Sequence, residues 1–146
     1  MPSEIILRVP FFSDLANLAM ALRREVFVVE QNVPDSEEYD IHDPTADHYV
    51  VVCEGCVVAT TRVLRYEEES RLSRFAVRRS LRGSGVGGRL CDFVMKDLAA
   101  QGRTKVFLHA QVDKIGFYAK YGFKPYGEEY LECDILHRNM RNWEPA

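Results

Sequence analysis

The sequence lacks the features that would place the protein at a membrane or on nucleic acid. It has no run of about 18 apolar residues, which argues against a membrane-spanning helix. Its first residues have no basic region and no small-residue cleavage site, so we expect no signal peptide. The formal net charge of −3 is unsuited to coating a polyanion. We therefore expect a cytoplasmic protein that binds neither membranes nor nucleic acid.

Cysteine is scarce, and its spacing gives little support to a metal or redox site. The cysteines are Cys53, Cys56, Cys91 and Cys133. Cys53 and Cys56 form a CxxC pattern, but no second CxxC and no spaced histidine pair follows it. The intervening Glu54-Gly55 is typical of a hairpin tip between two apolar strands. We therefore expect no bound metal and reduced thiols throughout.

Charged residues are unevenly distributed along a chain that no repeat or linker divides, so we expect one domain over residues 1–146. An acidic zone, residues 35–47, contains Asp35, Glu37, Glu38, Asp40, Asp43 and Asp47. A basic zone, residues 71–89, contains Arg71, Arg74, Arg78, Arg79, Arg82 and Arg89. The two zones favour a site for two substrates with an anion at the basic end, although two solvated surfaces give the same pattern.

Hydrophobic periodicity predicts a mixed α/β (α+β) fold. We expect strands at Glu4–Val9, His48–Cys53, Val57–Arg65, Arg71–Val77, Lys105–Gln111, Phe123–Gly127 and Tyr130–Met140. We expect helices from Ser13 or Asp14 to about Gln31, at Gly85–Gly102 and at Lys114–Tyr121, with a polar loop at Pro34–Asp47. This order combines hairpins with one β-α-β crossover, which predicts a mixed sheet with helices packed on it.

A glycine-rich turn between a predicted strand and a predicted helix is the most informative segment. It contains Gly83, Gly85, Gly87 and Gly88. Missing side chains let backbone N–H groups converge on a ligand, and a helix N-terminus favours an anion, so the turn indicates a phosphate site. The spacing formally matches a dinucleotide fingerprint, but it falls in mid-chain, and no P-loop pattern is present. A purely structural tight turn is the alternative.

Two motifs together resemble the GNAT (GCN5-related) N-acetyltransferases. Arg82–Gly87 resembles that family's R/Q-x-x-G-x-G/A turn, and Phe117–Phe123 resembles its FYxKxGF segment. The resemblance implies a GNAT fold, with a mixed central sheet of six to seven strands flanked by about four helices. More narrowly, Arg24–Gln31, His109–Gln111 and Ile135–Met140 resemble the ElaA/YjcF-like branch of the family.

The resemblance implies an acetyl-CoA-dependent N-acetyltransferase in which a primary amine attacks the thioester directly in a ternary complex. By resemblance, the cofactor-binding residues are Phe75, Ala76, Val77, Arg82, Gly83, Ser84, Gly85, Val86, Gly87 and Gly88. Tyr118 matches the usual general acid, because a neutral phenol can donate a proton to the departing sulfur. The alternative for Tyr118 is a core tyrosine on an amphipathic helix.

The acceptor side is less defined. Residues expected near the acceptor are Phe27, Glu30, His109 and Gln111. Many members of the family have Asn near the position of Gln111, so this residue departs from the family pattern. Candidates for the base that deprotonates the amine are Glu30, Asp40, Asp43, His48 and His109. We expect a small-molecule amine as acceptor, whose identity the sequence does not indicate. The acidic zone favours a cationic amine. The sequence is also compatible with a homodimer.

Two other functions stay open at the level of sequence. Arg23, Phe27, Glu38, Asp40, Asp43 and Arg62 follow a pattern that resembles the acyl-homoserine-lactone synthases. Those enzymes share the GNAT-like core and use an acyl donor with S-adenosylmethionine, although acids that hold a loop against arginines would give the same pattern. A non-catalytic CoA-binding module is the second alternative.

Overall fold

The apolar segments predicted as strands form one mixed sheet. A computed structural model describes residues 3–145, and their strands are β1 (Glu4–Val9), β2 (Asp47–Cys53), β3 (Cys56–Arg65), β4 (Glu69–Val77), β5 (Lys105–Gln111), β6 (Lys124–Glu132) and β7 (Ile135–Arg141). The strand order in the sheet is β1-β2-β3-β4-β5-β7-β6. Only β4 and β5 pair in parallel, so the predicted single crossover and the mixed sheet are confirmed.

Four α-helices lie within the described range, as the GNAT resemblance predicts: α1 (Asp14–Arg23), α2 (Asp35–Glu38), α3 (Val86–Ala100) and α4 (Ile115–Ala119). Ser13 caps α1 as expected, since its side chain accepts a hydrogen bond from the Ala16 N–H at 3.2 Å. In residues 3–145 no helix is both long and apolar enough to cross a membrane.

The first helix differs from the prediction in its second half. The α-helical part ends at Arg23, and the chain continues as a π-helix from Arg24 to Glu30. The wider turn is visible in the Gln31 N–H, which donates to the Val26 carbonyl five residues earlier at 3.2 Å. A π-helix is a local insertion that is frequent at functional sites and has no periodic sequence signal.

The core has two layers, one on each face of the sheet. On one face α3 packs through Leu90, Val94 and Leu98 against β2, β3 and β4. On the other face α1 packs through Ala19 and Leu22 against β2, β3 and β4. These positions follow the apolar spacing of each helix, so burial of one helical stripe per face holds the two layers together.

Strands β4 and β5 separate soon after they begin to pair. Their parallel register runs only from Glu69 opposite Lys105 to Leu72 opposite Leu108. A bulge against β3 follows in β4, where Arg74 takes the left-handed region with φ 52°. Beyond Leu72, β4 has no further pairing with β5, which stays paired with β7 along its other edge. The β5-facing edge of the last residues of β4 therefore has no strand partner within the described chain.

Two predicted turns, one between β2 and β3 and one within the last part of the chain, have different outcomes. Cys53 lies opposite Cys56, with Glu54 and Gly55 both at positive φ, so the predicted hairpin tip is confirmed. The predicted break between strands Phe123–Gly127 and Tyr130–Met140 is wrong. Strand β6 runs through it, because Gly127 at φ 73° accommodates a bulge. The chain turns instead at Cys133-Asp134, both at positive φ.

Candidate active site

The separation of β4 and β5 opens a cleft of about 1280 Å³. Its walls come from the π-helix, both strands, the glycine-rich turn, α4 and the tip of the β6–β7 hairpin. The cleft thus collects segments that are far apart in the chain. Within residues 3–145, no group of three or more His, Cys, Asp or Glu side chains is arranged to hold a metal ion.

The glycine-rich turn presents free backbone donors to this cleft. Gly85 is the N-cap of α3 in the left-handed conformation, with φ 90°, which favours glycine. The first helical hydrogen bond runs from the Arg89 N–H to the Gly85 carbonyl at 3.1 Å. The N–H groups of Val86, Gly87 and Gly88 therefore have no acceptor among the described residues. Three donors and the helix dipole make this end of α3 a ready anion site.

The glycines of the turn have different local reasons to be glycine. A Cβ at Gly88 would lie 2.1 Å from the Tyr121 hydroxyl, so this position lets Tyr121 pack against α3. A Cβ at Gly87 would lie 3.3 Å from Val77 Cγ2 and 3.6 Å from the Phe117 ring. Because Gly87 also lines the cleft, a side chain there would take up part of the cleft beside Val77 and Phe117.

Most of the expected cofactor-binding residues border the cleft. Those that line it are Phe75, Ala76, Val77, Arg82, Gly83, Gly85, Gly87 and Gly88. The side chains of Ser84 and Val86 point elsewhere, since Ser84 Oγ donates to the Leu81 carbonyl at 2.5 Å and Val86 is buried in the core. Any contribution from these two to a ligand would come from their backbone.

Arg82 is held against the end of the π-helix. Its guanidinium lies 2.8 Å and 3.1 Å from the two carboxylate oxygens of Glu30, and its Nε donates to the Val77 carbonyl at 3.1 Å. Glu30 itself does not line the cleft. The pair joins the π-helix to the glycine-rich turn. The sequence predicted Glu30 near the acceptor and Arg82 at the cofactor, so this contact links residues expected to bind different substrates.

Tyr118 lies in an aromatic environment at the edge of the cleft. It is only 9% exposed and packs edge-on against the rings of Phe75, Phe117 and Phe123. Its hydroxyl makes no hydrogen bond to a described residue, and the residue lines the cleft. Burial raises the pKa of Tyr118 well above its ordinary value, with a smaller contribution from Cys91. The phenol therefore stays protonated at neutral pH.

Three of the four expected acceptor-side residues, Phe27, His109 and Gln111, line the cleft. Gln111 donates to the Gln31 side chain at 2.8 Å. His109 Nδ1 lies 3.1 Å from an Nη2 of Arg71, which can only donate, so the proton of a neutral His109 is on Nε2. Burial, and then the charge of Arg71, lower the pKa of His109 below its ordinary value.

The acidic loop is neutralised by buried arginines. Arg23 contacts Glu38 at 2.9 Å and Asp43 at 2.7 Å, and Arg62 contacts Asp43 at 2.9 Å and Asp40 at 2.7 Å. Burial favours the neutral acids, but these arginines outweigh it and lower the pKa of Asp40 and Asp43. The acid cluster thus pins the loop against arginines, which is the structural alternative that its sequence pattern left open.

These contacts also bear on the candidate bases. Asp40 and Asp43 are ion-paired, and Glu30 is engaged by Arg82. His48 is buried beside the Asp43 carbonyl at 2.8 Å and does not line the cleft. His109 has its lone pair directed at Arg71. All five candidates are therefore poorly placed to take a proton from an amine in the cleft.

Sequence reasoning did not single out several cleft residues. The most prominent are Glu37, Arg71, Arg74, Glu132 and His137. Arg71 and Arg74 lie in the basic zone, and their position just before Phe75 on β4 could have indicated them. Glu132 and His137 reach the cleft only because the β6–β7 hairpin pairs beside β5, which no local pattern reports.

Comparison with known proteins identifies the family. A family model described as an acetyltransferase (GNAT) domain matches residues 10–142. The chain therefore belongs to the GNAT acetyltransferase family, and its resemblance to the ElaA/YjcF-like branch is confirmed. The expected GNAT fold, with seven strands and four α-helices in the described chain, is confirmed as well.

Individual relatives resemble the chain over nearly its whole length. It is 36% identical over 123 residues to the uncharacterized N-acetyltransferase YjcF of Bacillus subtilis, covering 84% of this chain and 88% of YjcF. The crystal structure of ElaA from Escherichia coli has a TM-score of 0.85 and 30% identity, covering 98% of this chain and 100% of ElaA. An acyl-CoA N-acyltransferase from Pseudomonas aeruginosa has a TM-score of 0.85, 29% identity and the same coverage.

Proposed function

We propose that the protein is an acetyl-CoA-dependent N-acetyltransferase whose primary amine substrate attacks the thioester directly in a ternary complex. One observation carries the proposal: Gly87 and Gly88, whose N–H groups have no acceptor among the described residues, line the same cleft as the unpaired edge of β4 and Tyr118. The cleft thus combines an anion site, a row of backbone donors and a proton donor. This is the set of groups that acyl transfer from a phosphate-bearing thioester requires.

The glycine-rich turn fits a pyrophosphate. The N–H groups of Val86, Gly87 and Gly88 would donate to phosphate oxygens, and the dipole of α3 would stabilise their negative charge. The absence of a side chain at Gly87 keeps this part of the cleft open. Arg82 would add a full positive charge if it exchanged Glu30 for a phosphate oxygen.

The end of β4 would orient the reacting group. Acetyl-CoA supplies an activated acetyl thioester when it is bound. The backbone of Phe75, Ala76 and Val77 lies on the strand edge that β5 has left, so N–H groups on this edge can hold the extended arm and polarise the acetyl carbonyl. Such fixed donors are effective because they need no reorganisation as charge develops on the oxygen.

Tyr118 would protonate the leaving sulfur. Its raised pKa keeps the hydroxyl protonated, and the rings of Phe75, Phe117 and Phe123 hold it in place. The transfer leaves a tyrosinate, which would take a proton back from water before the next turnover. On the opposite side, Phe27, His109 and Gln111 would contact the acceptor, and its proton would leave through water rather than to one of the five candidate bases.

The proposal is tested by a turnover screen. Purified protein is incubated with acetyl-CoA and a panel of sugar amines, polyamines, amino acids and lysine peptides, and free thiol is measured. Amine-dependent thiol release, with an acetylated amine identified by mass spectrometry, supports the proposal. Binding of acetyl-CoA without release for any amine indicates a CoA-binding module. Consumption of S-adenosylmethionine in the presence of an acyl donor indicates a lactone synthase.

A further inference from the structure

The arginines that line the cleft differ in whether a carboxylate of the protein neutralises them. Arg74 lies 3.3 Å from Glu38 and 3.4 Å from Asp40. Arg82 contacts Glu30 at 2.8 Å, and Arg89 contacts Glu4 at 2.8 Å. Arg71 also lines the cleft, but it has no carboxylate partner among the described residues. Its charge is thus available to a ligand.

Most N–H donors of the Arg71 guanidinium also have no hydrogen-bond acceptor among the described residues. Its Nη2 donates to His109 Nδ1 at 3.1 Å, whereas its Nε is closed off from water and has no acceptor. Its Nη1 makes no hydrogen bond to a described residue. Because Nε is closed off from the cleft as well as from water, the donors left for a ligand are those of Nη1 and the second N–H of Nη2. The arrangement is typical of a binding group whose partner is a ligand.

The position of Arg71 separates it from the phosphate site. Arg71 precedes Val77 by six residues of β4, with the bulge at Arg74 between them. The glycine-rich turn lies beyond Val77 in the opposite direction. A group bound at Arg71 therefore lies past the reacting end of the thioester, beside the expected acceptor residue His109.

Three carboxylates of the acidic loop are neutralised and give no net attraction for a cation. Glu38, Asp40 and Asp43 are matched by Arg23, Arg62 and Arg74. Within the acidic zone, the expectation of a cationic acceptor therefore depends on Glu37, which lines the cleft and has no arginine or lysine partner among the described residues. The other carboxylates that line the cleft are Glu37, Asp92, Asp113 and Glu132. Glu37 accepts a hydrogen bond from Cys133 Sγ at 2.7 Å, and Glu132 lies 3.8 Å from His137, so both remain near enough to the cleft to face an ammonium group.

We propose that the acceptor is an amine that also carries a carboxylate, an amino acid in the broad chemical sense, and that Arg71 binds this carboxylate. The inference depends on the proposed acetyltransferase function and names its substrate class. The planar guanidinium presents paired N–H donors that match a carboxylate, which a lysine ammonium does not reproduce. His109 would position Arg71 through its Nδ1 contact.

The test uses matched acceptors and needs no variant for its first answer. Acetyl-CoA turnover is measured with α-amino acids and ω-amino acids, each against its carboxamide and its decarboxylated amine. The wild-type protein should prefer the carboxylate form by about 10- to 100-fold in kcat/KM, the usual value of a hydrogen-bonded charge pair. Equal kcat/KM for the members of each pair would overturn the proposal and leave the acetyltransferase function intact.

Variants then assign the preference to Arg71. Arg71→Gln should remove the preference by lowering kcat/KM for carboxylates while leaving the carboxamides nearly unchanged, and Arg71→Lys should restore it only in part. Arg65→Gln is the matched control, because Arg65 is an exposed arginine on β3 that pairs with Asp47 outside the cleft. A loss in Arg71→Gln that is equal for carboxylates and carboxamides would show a structural role and overturn the proposal.

If no turnover is found, calorimetry can still test the inference by measuring the binding of carboxylated amines to the protein loaded with CoA, which cannot donate an acetyl group. A carboxylated amine should bind the CoA-loaded wild-type protein, and its affinity should fall in Arg71→Gln. If CoA binds but none of the carboxylated amines binds or reacts, the inference is wrong. If neither CoA nor acetyl-CoA binds, the proposed function itself has failed, so the two failures are distinguishable.

Discussion

Asp43 lies 2.7 Å from Arg23 in the interior of the protein, with both side chains shielded from water. The contact joins the last residue of α1 to the loop before β2, where Asp43 also accepts a hydrogen bond from Arg62 on β3. The same loop supplies Glu37 and Glu38 to the wall of the cleft. The buried ion network therefore holds one wall of the active site in place.

Replacement of Asp43 tests how much the network contributes to stability. Asp43→Asn keeps the shape of the side chain but leaves Arg23 and Arg62 with less compensating charge, so the free energy of unfolding should fall by about 3–5 kcal/mol. Asp35→Asn is the control, because Asp35 forms an exposed pair with Arg24 and should change stability by less than about 1 kcal/mol. Urea denaturation measures both, and equal effects would contradict a structural role for the buried network.

The same network predicts a direction for the pH dependence of stability. The folded-state pKa of Asp43 is lowered, because Arg23 and Arg62 outweigh the opposing effect of burial. A lowered pKa means that the stabilisation is present above the unfolded-state value of about 3.9 and is lost as pH falls through the folded-state value. The stability difference between wild type and Asp43→Asn should therefore shrink in acid, and a difference that grows in acid would contradict this assignment.

A methyl group at Gly87 tests the phosphate site. Gly87→Ala places a Cβ in the cleft beside Val77 and Phe117, so the affinity for acetyl-CoA should fall about tenfold or more, or about 1.4 kcal/mol. Gly116→Ala is the control, since a Cβ there meets nothing within 4 Å. Thermal shift with acetyl-CoA reports both variants. An undiminished shift in Gly87→Ala would show that the turn is structural only.

Local sequence signals predicted most of the fold and failed where geometry depends on packing. The Ser13 cap and the Glu54-Gly55 turn were readable because each acts on its own neighbours. The π-helix could not be predicted in this way, because its hydrogen bonds span five residues rather than the four of an α-helix, and the apolar spacing does not report this difference. The turn at Cys133-Asp134 was missed because cysteine is an unusual residue at positive φ, whereas Gly127 looked like a turn and is a bulge.

The residues of the candidate site likewise fall into those that local motifs indicate and those that only the folded sheet brings together. The glycine-rich turn, the end of β4 and Tyr118 belong to contiguous motifs, so the sequence could indicate them. The contact between Arg71 and His109 joins residues on two strands, 38 positions apart, and exists only because β4 and β5 run in parallel before they separate. Their pairing could not be predicted without the register of the sheet.

The titration of His109 tests this contact. Burial and the charge of Arg71 lower its pKa, so the imidazole should be neutral at pH 7. Arg71→Gln removes the cation and should raise the pKa of His109, whereas Arg65→Gln should leave it unchanged. NMR titration of the imidazole C–H signals measures the shift. An unchanged pKa in Arg71→Gln would contradict the contact.

Removal of one hydroxyl tests the proposed acid. Tyr118→Phe keeps the packing against Phe75 and Phe123, so stability and acetyl-CoA affinity should change little. If Tyr118 protonates the sulfur, kcat should fall by about 10²-fold or more. Tyr121→Phe is the matched control, because Tyr121 is a second tyrosine that lines the cleft and its hydroxyl lies beside Gly88, where it has no role in protonating the sulfur. A wild-type kcat in Tyr118→Phe, with chemistry limiting the rate, would place the acid elsewhere.

Direct acetyl transfer from acetyl-CoA to an amine in this cleft makes a kinetic prediction. The decisive measurement is the initial rate of CoA release with both substrates varied, combined with mass spectrometry of the protein after incubation with acetyl-CoA alone. We predict amine-dependent release with intersecting reciprocal plots and no acetyl group on the protein. Parallel plots with an acetylated protein, or bound acetyl-CoA that no amine discharges, would contradict the account.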